Sequence, residues 1–160
     1  MPKVPGYAGN VLYVDLTKKK FSKEPLDPEL VNNFLGGYGI NLKLAHELIS
    51  PAVDPIASEN KIIIGAGPFV GTHIPGGAKV HITTKYPING AFSRASGGGA
   101  FGLMLKSSGY DHVVISGKEK DPVYLKILNE QVEICNAFVF QRKWIIYMSA
   151  GYVNIGVQRS

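Results

Sequence analysis

The sequence predicts an α+β fold of mixed strands with a few helices. Three observations carry this reading. Runs of strand character come in neighbouring pairs, helical patterns are few and lie between them, and the 19 glycines gather in blocks that punctuate the elements.

Val11 to Leu16 is apolar-rich and is followed by Thr17 to Lys20 and a second extended piece reaching Glu24, which together read as a β-hairpin with a basic turn. Asp27-Pro28-Glu29 is a helix start: Asp caps free N–H groups, proline tolerates the first helical position, and an acid suits the positive end of the dipole. That helix is predicted through Leu30, Val31, Phe34 and Leu35, stopping at Gly36-Gly37. A second helix places Ile40, Leu44 and Leu48 at i, i+4 and i+8 and ends near Ser50-Pro51. Lys61 to Gly65 is a short apolar strand entering a glycine- and proline-rich loop, Val80 to Thr84 is another strand, and Tyr86 to Gly90 is a turn. Ala100 to Ser107 is predicted helical with Phe101, Met104 and Leu105 on one face. Val113 to Ser116, Val123 to Leu128 and Val132 to Ile134 are further strands, the last two joined across Asn129-Glu130. Ile62 to Ile64 and Val113 to Ile115 are expected in the core. From Phe138 onward the character changes: there is no acid, and Trp144, Tyr147 and Tyr152 appear without helix caps. Residues 1–137 thus read as one domain and 138–160 as a divergent tail.

A chain of 160 residues, 45% hydrophobic and 18% charged, is long enough for one ordinary cored domain and is not of disordered composition. The net charge of +5 leaves two readings open, a soluble basic surface or attraction to an anionic, phosphate-bearing ligand. Nucleic acid is not expected as a partner, because the one tight basic run, Lys18-Lys19-Lys20, falls in a hairpin turn. The single Cys135 excludes an internal disulfide, cannot by itself hold an iron–sulfur cluster, and is expected to be a buried apolar residue. Met1 to Asn10 lacks an apolar signal core, and no apolar stretch reaches membrane-spanning length, so no membrane association and a cytoplasmic location are expected.

The most informative block is Gly65 to Gly102, GAGPFVGTHIPGGAKVHITTKYPINGAFSRASGGGAFG. It supplies two backbone-rich loops, a strand with Lys79 near its start, and a glycine cluster opening a helix. Successive glycine N–H groups and a helix N-terminus can cradle a phosphate at Gly97, Gly98 and Gly99, with Lys79 adding charge and Arg94 assisting. A tight-packing turn is the competing reading of the same glycines. The block has neither the dinucleotide nor the P-loop spacing. His46, His73, His81 and His112 share no metal-binding spacing, Glu47 and Glu59 have no visible partner carboxylate, and Ser93 and Ser96 are not framed as nucleophiles. No catalytic residue and no metal ligand is therefore assigned.

GYAGNVLYVDLT, EPLDPELVNNFLGGYGINLKLAHEL, DPIASENKIIIGAGPFVGTHIP and TTKYPINGAFSRASGGGAFGLMLKSSGYDHVVISGKEKDPVYLKI follow one another in order. In this order, from Gly6 to about Ala137, they resemble the N-terminal domain of the tungsten-containing aldehyde ferredoxin oxidoreductase family. The resemblance implies a domain of two related α+β halves forming a saddle under a tungsten bis-pyranopterin, with one half and part of the second in this chain. It also implies a basic residue gripping the pterin phosphates, at Lys79 where an arginine is common. Lysine keeps the charge and loses the bidentate fork. Ser96 stands where better-known members carry an asparagine whose backbone helps hold magnesium between the phosphates. Gly98 and Gly99 match the glycines beside the pterin, and Tyr38 replaces an often basic residue.

The family oxidises aldehydes to carboxylic acids and passes the electrons through a 4Fe-4S cluster to ferredoxin. Its cluster cysteines and catalytic residues lie in later domains, so this chain is expected to be the pterin-cradling part of a truncated enzyme, without cluster ligands of its own. The alternative is a stand-alone, non-catalytic module using the same scaffold for another phosphate-bearing ligand or for self-association. A homo-oligomer is expected, formed through the strands after His112 or the tail around Trp144.

Overall fold

The computed structural model describes residues 4–128 and 131–138 in full, and the backbone of a strand at Val153–Val157. The elements in order are β1 (Asn10–Asp15), β2 (Lys20–Pro25), α1 (Pro28–Asn33), α2 (Tyr38–Leu48), β3 (Ile62–Ala66), β4 (Val80–Lys85) and β5 (Phe92–Gly97), then α3 (Phe101–Ser107), β6 (His112–Ser116), β7 (Val123–Leu128), β8 (Gln131–Asn136) and β9 (Val153–Val157). The first six strands form one sheet in the order β2-β1-β6-β3-β4-β5, and the last three form a second in the order β8-β7-β9. Among the described residues, only β1 and β6 run parallel; the other ladders are antiparallel. This is the α+β architecture expected from paired strands and few helices.

Alternation along the central strands divides the core between two faces. Leu12, Val14, Ile64, Val113 and Ile115 point to one side, where they pack with Leu105 of α3 and with Leu125, Ile127 and Val132 of the second sheet. Val11, Ile63 and Val114 point to the other side, under Ile40, Leu44 and Ala45 of α2. A strand buried on both faces needs a continuous apolar run, which is what the Ile62–Ile64 and Val113–Ile115 segments supply.

Some boundaries differ from the sequence reading. Asp27 does cap α1, its carboxylate accepting the Glu29 N–H at 2.8 Å, but the helix ends at Asn33 because Phe34 turns to extended backbone. Gly36 and Gly37 therefore belong to the entry of α2, where Gly37, at φ 76°, is the N-cap. The strand β5 was not legible, and Gly97, read as part of a loop, is its last residue. Cys135, expected to be buried, is half-buried: Val132 and Ile134 take the inward positions of β8, and Cys135 lies in the outward set opposite Tyr124. Both edges of β6 are paired within the chain, so the free edges of the large sheet are β2 and β5. The Asn129-Glu130 turn and the tail around Trp144 lie outside the described residues, although β9, within that tail, pairs with β7.

The exit from α3 shows why the Gly109-Tyr110-Asp111 sequence is there. Gly109 N–H donates to Lys106 O at 2.9 Å and Tyr110 N–H to Leu105 O at 3.2 Å, the paired bonds of a Schellman cap, with Gly109 at φ 90°. Tyr110 then packs in the same cluster as Leu105, which completes the motif. A Cβ at Gly109 would meet nothing within 4 Å, so an alanine there is penalised through the backbone alone. Gly109→Ala is expected to cost about 1–2 kcal/mol, read as a lower urea midpoint at unchanged m-value. An unshifted midpoint would show that the left-handed conformation is not required.

Candidate functional site

The hairpin of β4 and β5 carries the sequence-assigned residues. Its register pairs Val80 with Gly97, His81 with Ser96 and Thr83 with Arg94. Because side chains alternate, Lys79, just before β4, shares a face with His81 and Thr83, and Ser96 and Arg94 lie on that face from β5. The ladder ends at the Val80–Gly97 pair, and Lys79 and Gly98 are the next residues beyond it. This is the face that α2 covers, and the helix begins beside the hairpin. The Arg94 guanidinium lies 5.0 Å from the Tyr38 ring centroid, and the Tyr38 and His81 rings are 6.2 Å apart.

Charge is distributed unevenly along the chain. Residues 61–110 contain five cations, Lys61, Lys79, Lys85, Arg94 and Lys106, and no acid. Lys85 is spent on the carbonyls of Pro51 and Val53, and Lys106 on those of Gly6, Gly67 and Pro68. Lys79 makes no hydrogen bond or ion pair among the described residues and is exposed, as is Arg94 beyond its contact with Tyr38. His81 reports the resulting field. Its pKa is lowered first by partial burial and then by Arg94 and Lys79, with no carboxylate opposing them. Its Nδ1 is 2.9 Å from Ser96 Oγ.

The glycine cluster contributes room rather than a strong helix dipole. Side chains built at Gly98 and Gly99 would meet nothing within 4 Å, and Gly99 has φ 99°. The backbone there is open to a ligand. The following helix α3 is only seven residues long and has no side-chain cap, so the dipole assigned to it from sequence is that of two turns.

A buried polar contact sets α2 against the sheet beside this face. Asn41 Nδ2 donates to Ile63 O at 3.2 Å and to His81 O at 2.9 Å, which leaves Oδ1 to accept from His112 Nδ1–H at 2.8 Å. The tautomer of His112 is thereby fixed, and its Nε2 is a bare, buried acceptor with no partner among the described residues. Gly65 makes the space: a Cβ there would collide with both Asn41 Oδ1 and His112 Nδ1. Gly37 is similarly constrained, since its Cβ would press on His81 Cδ2 at 3.0 Å.

Lys79, Arg94, Ser96 and the glycines Gly97 to Gly99 thus come together on one hairpin. Sequence reasoning missed His81, and noted Tyr38 only as a replacement for an often basic residue. The alternation of Lys79, His81 and Thr83 was the available signal for the histidine, whereas Tyr38 reaches the site only through the placement of α2.

A mixed six-stranded sheet with two exposed cations and open glycine backbone on its edge hairpin defines an α+β domain. The chain belongs to the family described as aldehyde ferredoxin oxidoreductase, N-terminal domain, which matches residues 11–150. It is 40% identical over 132 residues to the tungsten-containing aldehyde ferredoxin oxidoreductase of Pyrococcus furiosus, covering 82% of this chain and 22% of that protein. It is 37% identical over 134 residues to the aliphatic sulfonate oxidoreductase, WOR-like subunit, of the same organism, covering 82% of this chain and 21% of that one. Among solved structures, the active site complex BamBC of benzoyl coenzyme A reductase, in complex with 1,5-dienoyl-CoA, superposes with a TM-score of 0.80 at 36% identity. That match covers 82% of this chain and 20% of the other. The chain therefore spans about a fifth of the length of these relatives. No helix among the described residues is long and apolar enough to cross a membrane.

Complete burial, with a smaller contribution from Lys106, lowers the His112 pKa from 6.5 to about 3. Between those values the unfolded chain binds a proton that the folded chain does not. This stabilisation is fully present above pH 6.5 and is lost as pH falls toward 3, by up to about 1.4 kcal/mol per pH unit. Urea unfolding at pH 7.5, 6.5, 5.5 and 4.5 is expected to show stability declining below pH 6.5, with a shallower decline in His112→Gln. Equal slopes in the two proteins would locate the pH dependence elsewhere.

Proposed function

We propose that this chain holds the phosphates of a tungsten pyranopterin as the N-terminal domain of an aldehyde ferredoxin oxidoreductase-type enzyme. The observation that carries the reading is the single face bearing Lys79, His81, Arg94 and Ser96 next to open glycine backbone, within a 50-residue stretch that has no acid. A phosphate monoester or diphosphate needs cations, N–H donors and space for close approach. Lys79 and Arg94 supply the cations, and Gly98 and Gly99 supply accessible amides. The Ser96 side chain is engaged by His81, so its contribution to a ligand comes from the backbone.

The described residues include no grouping of three or more His, Cys, Asp or Glu side chains able to hold a metal ion. A magnesium ion at this site would therefore draw its oxygens from the phosphates and from backbone carbonyls such as that of Ser96. When bound, the tungstopterin supplies the redox chemistry by which an aldehyde becomes a carboxylic acid. The chain's own residues fix the cofactor by its phosphates and neutralise their charge. With Cys135 as its sole cysteine, the chain supplies no four-cysteine cluster, and electron transfer toward ferredoxin belongs to the parts of the relatives that it does not span.

Lys79→Glu tests the assignment. Binding of a phosphorylated pterin, followed by its fluorescence, is expected to weaken roughly tenfold or more, since a charge-assisted contact is replaced by repulsion. The melting temperature should stay within about 2 °C, because an exposed, unpaired lysine contributes little to stability. Unaltered pterin affinity would remove the site from consideration.

A further inference from the structure

We propose that a cleft at the other end of the large sheet, away from the glycine-rich face, binds a small monoanion with an apolar body, of the class of a medium-chain carboxylate. The inference stands apart from the phosphate-holding reading above and uses none of its residues.

In the ladder of β3 with β4, Ala66 pairs with Val80 beside the glycine-rich face, and Ile62 pairs with Thr84 at the opposite end. There the ends of β1, β3, β4 and β6 and the loop leading into β7 enclose a cleft of about 400 Å³, within the size range of small-molecule sites. Leu16, Ile62, Ile115 and Val123 line it. Leu16 and Ile115 belong to the buried core, and Ile62 and Val123 pack against the same cluster. The cleft therefore opens onto the margin of the main core, where a hydrocarbon body finds apolar surface to cover.

Polar contacts fix both walls. On one side the Asn60 amide donates to Pro55 O at 2.7 Å and to Lys85 O at 3.0 Å, while the Lys85 ammonium bonds the carbonyls of Pro51 and Val53. On the other side Gly117, at φ 82°, donates its N–H to Ser58 O at 2.9 Å, and a Cβ there would collide with Thr17. Lys118 N–H donates to Thr17 Oγ1 at 2.9 Å, and Pro122 O accepts the Ala137 N–H at 2.8 Å. A ligand thus meets a cleft that is already formed, which lowers the ordering cost of binding.

The charges of the lining select the ligand. They are Lys85, Lys118, Glu119, Lys120 and Asp121. Lys85 is directed to its two carbonyls, and Glu119 is engaged by Lys19 Nζ at 3.1 Å and by Lys120 N–H at 3.2 Å. The Lys118 and Lys120 ammonium groups and the Asp121 carboxylate are exposed and make no ion pair among the described residues. Two uncommitted cations against one uncommitted acid suit a single negative charge. Thr84 Oγ1 accepts from Asn60 at 3.2 Å and keeps its own proton to donate, so the lining also offers a neutral donor.

Octanoate is the probe. In proton–nitrogen NMR of the full chain it is expected to give saturable shifts at Ile62, Thr84, Ile115 and Gly117, and none at Lys79 or from Ser96 to Gly99. From butanoate to octanoate, affinity should rise roughly two- to fourfold per methylene. Octanol and octylamine, with the same body and no negative charge, should bind several-fold more weakly. Lys118→Gln combined with Lys120→Gln should weaken octanoate binding roughly three- to tenfold, and Asp121→Asn should strengthen it. Octanol binding as tightly as octanoate, or unaltered octanoate affinity in the double variant, would overturn recognition of an anion and with it the proposal. Shifts confined to the glycine-rich face, or no saturable shift at all, would overturn the cleft as a site and leave the phosphate-holding reading untouched.

Discussion

The Asp111 carboxylate accepts the amides of Ala8 and Gly9 at 2.9 and 2.6 Å, while its backbone donates to Asn10 O and accepts from Ala66 N–H. Lys106 lies 3.9 Å away, its ammonium enclosed by the carbonyls of Gly6, Gly67 and Pro68 and facing the Tyr7 ring at 5.8 Å. Burial raises the carboxyl pKa, against which the amides and the Lys106 charge act, and lowers that of the lysine, against which the Asp111 charge acts. Removing either partner leaves the other with only its neutral hydrogen-bond partners to offset its desolvated charge. What this pair fixes extends well beyond its own atoms. Lys106 holds the Gly67-Pro68 loop, Tyr7 Oη accepts the Gly36 N–H at 3.0 Å, and Gly37 has no room for a Cβ beside Gly67 and His81. The position of the candidate site is thus tied, contact by contact, to a carboxylate at the far side of α3.

Two histidines flank the same glycine and differ in burial and in the partners that hold them. His112 and His81 stand on either side of Gly65 in the sheet. The first is fully buried, held neutral, and committed to Asn41. The second is only partly buried, framed by cations, and keeps one ring nitrogen uncommitted among the described residues. Asn41 links them, since its amide bonds the carbonyl of one and the ring of the other.

Much of the fold was legible because local signals agreed with the tertiary result. Asp27-Pro28-Glu29 starts a helix by capping chemistry alone, and the Ile62–Ile64 and Val113–Ile115 runs are apolar because both faces of their strands are covered. β5 was not legible: after Phe92 it reads Ser, Arg, Ala, Ser, Gly, residues with little strand preference, and it exists because β4 offers it a ladder. The end of α1 was misplaced because Gly36-Gly37 was taken as a stop, whereas Gly37 serves the start of the next helix. In the site, the charged and glycine residues could be picked out from composition and resemblance. The part played by His81 could not, because strand register brings it in, and the contact of Tyr38 with Arg94 follows only from the placement of α2.

The central position of β6 bears on the order in which the molecule assembles. β1 and β2 form one local antiparallel unit, and β3, β4 and β5 form another, each closable from its own sequence. β6 lies between the two, pairing Val11 with His112 on one side and Ile64 with Val113 on the other. During synthesis the two units can form as they emerge, but they cannot be joined until the segment around His112 to Ser116 is available. Closure over a separation of about a hundred residues adds the loop entropy that slows folds of high contact order. Asp111, immediately before β6, carries the contacts that fasten the N-terminal segment. The arrival of one short strand therefore completes the sheet and engages the buried ion pair in the same step.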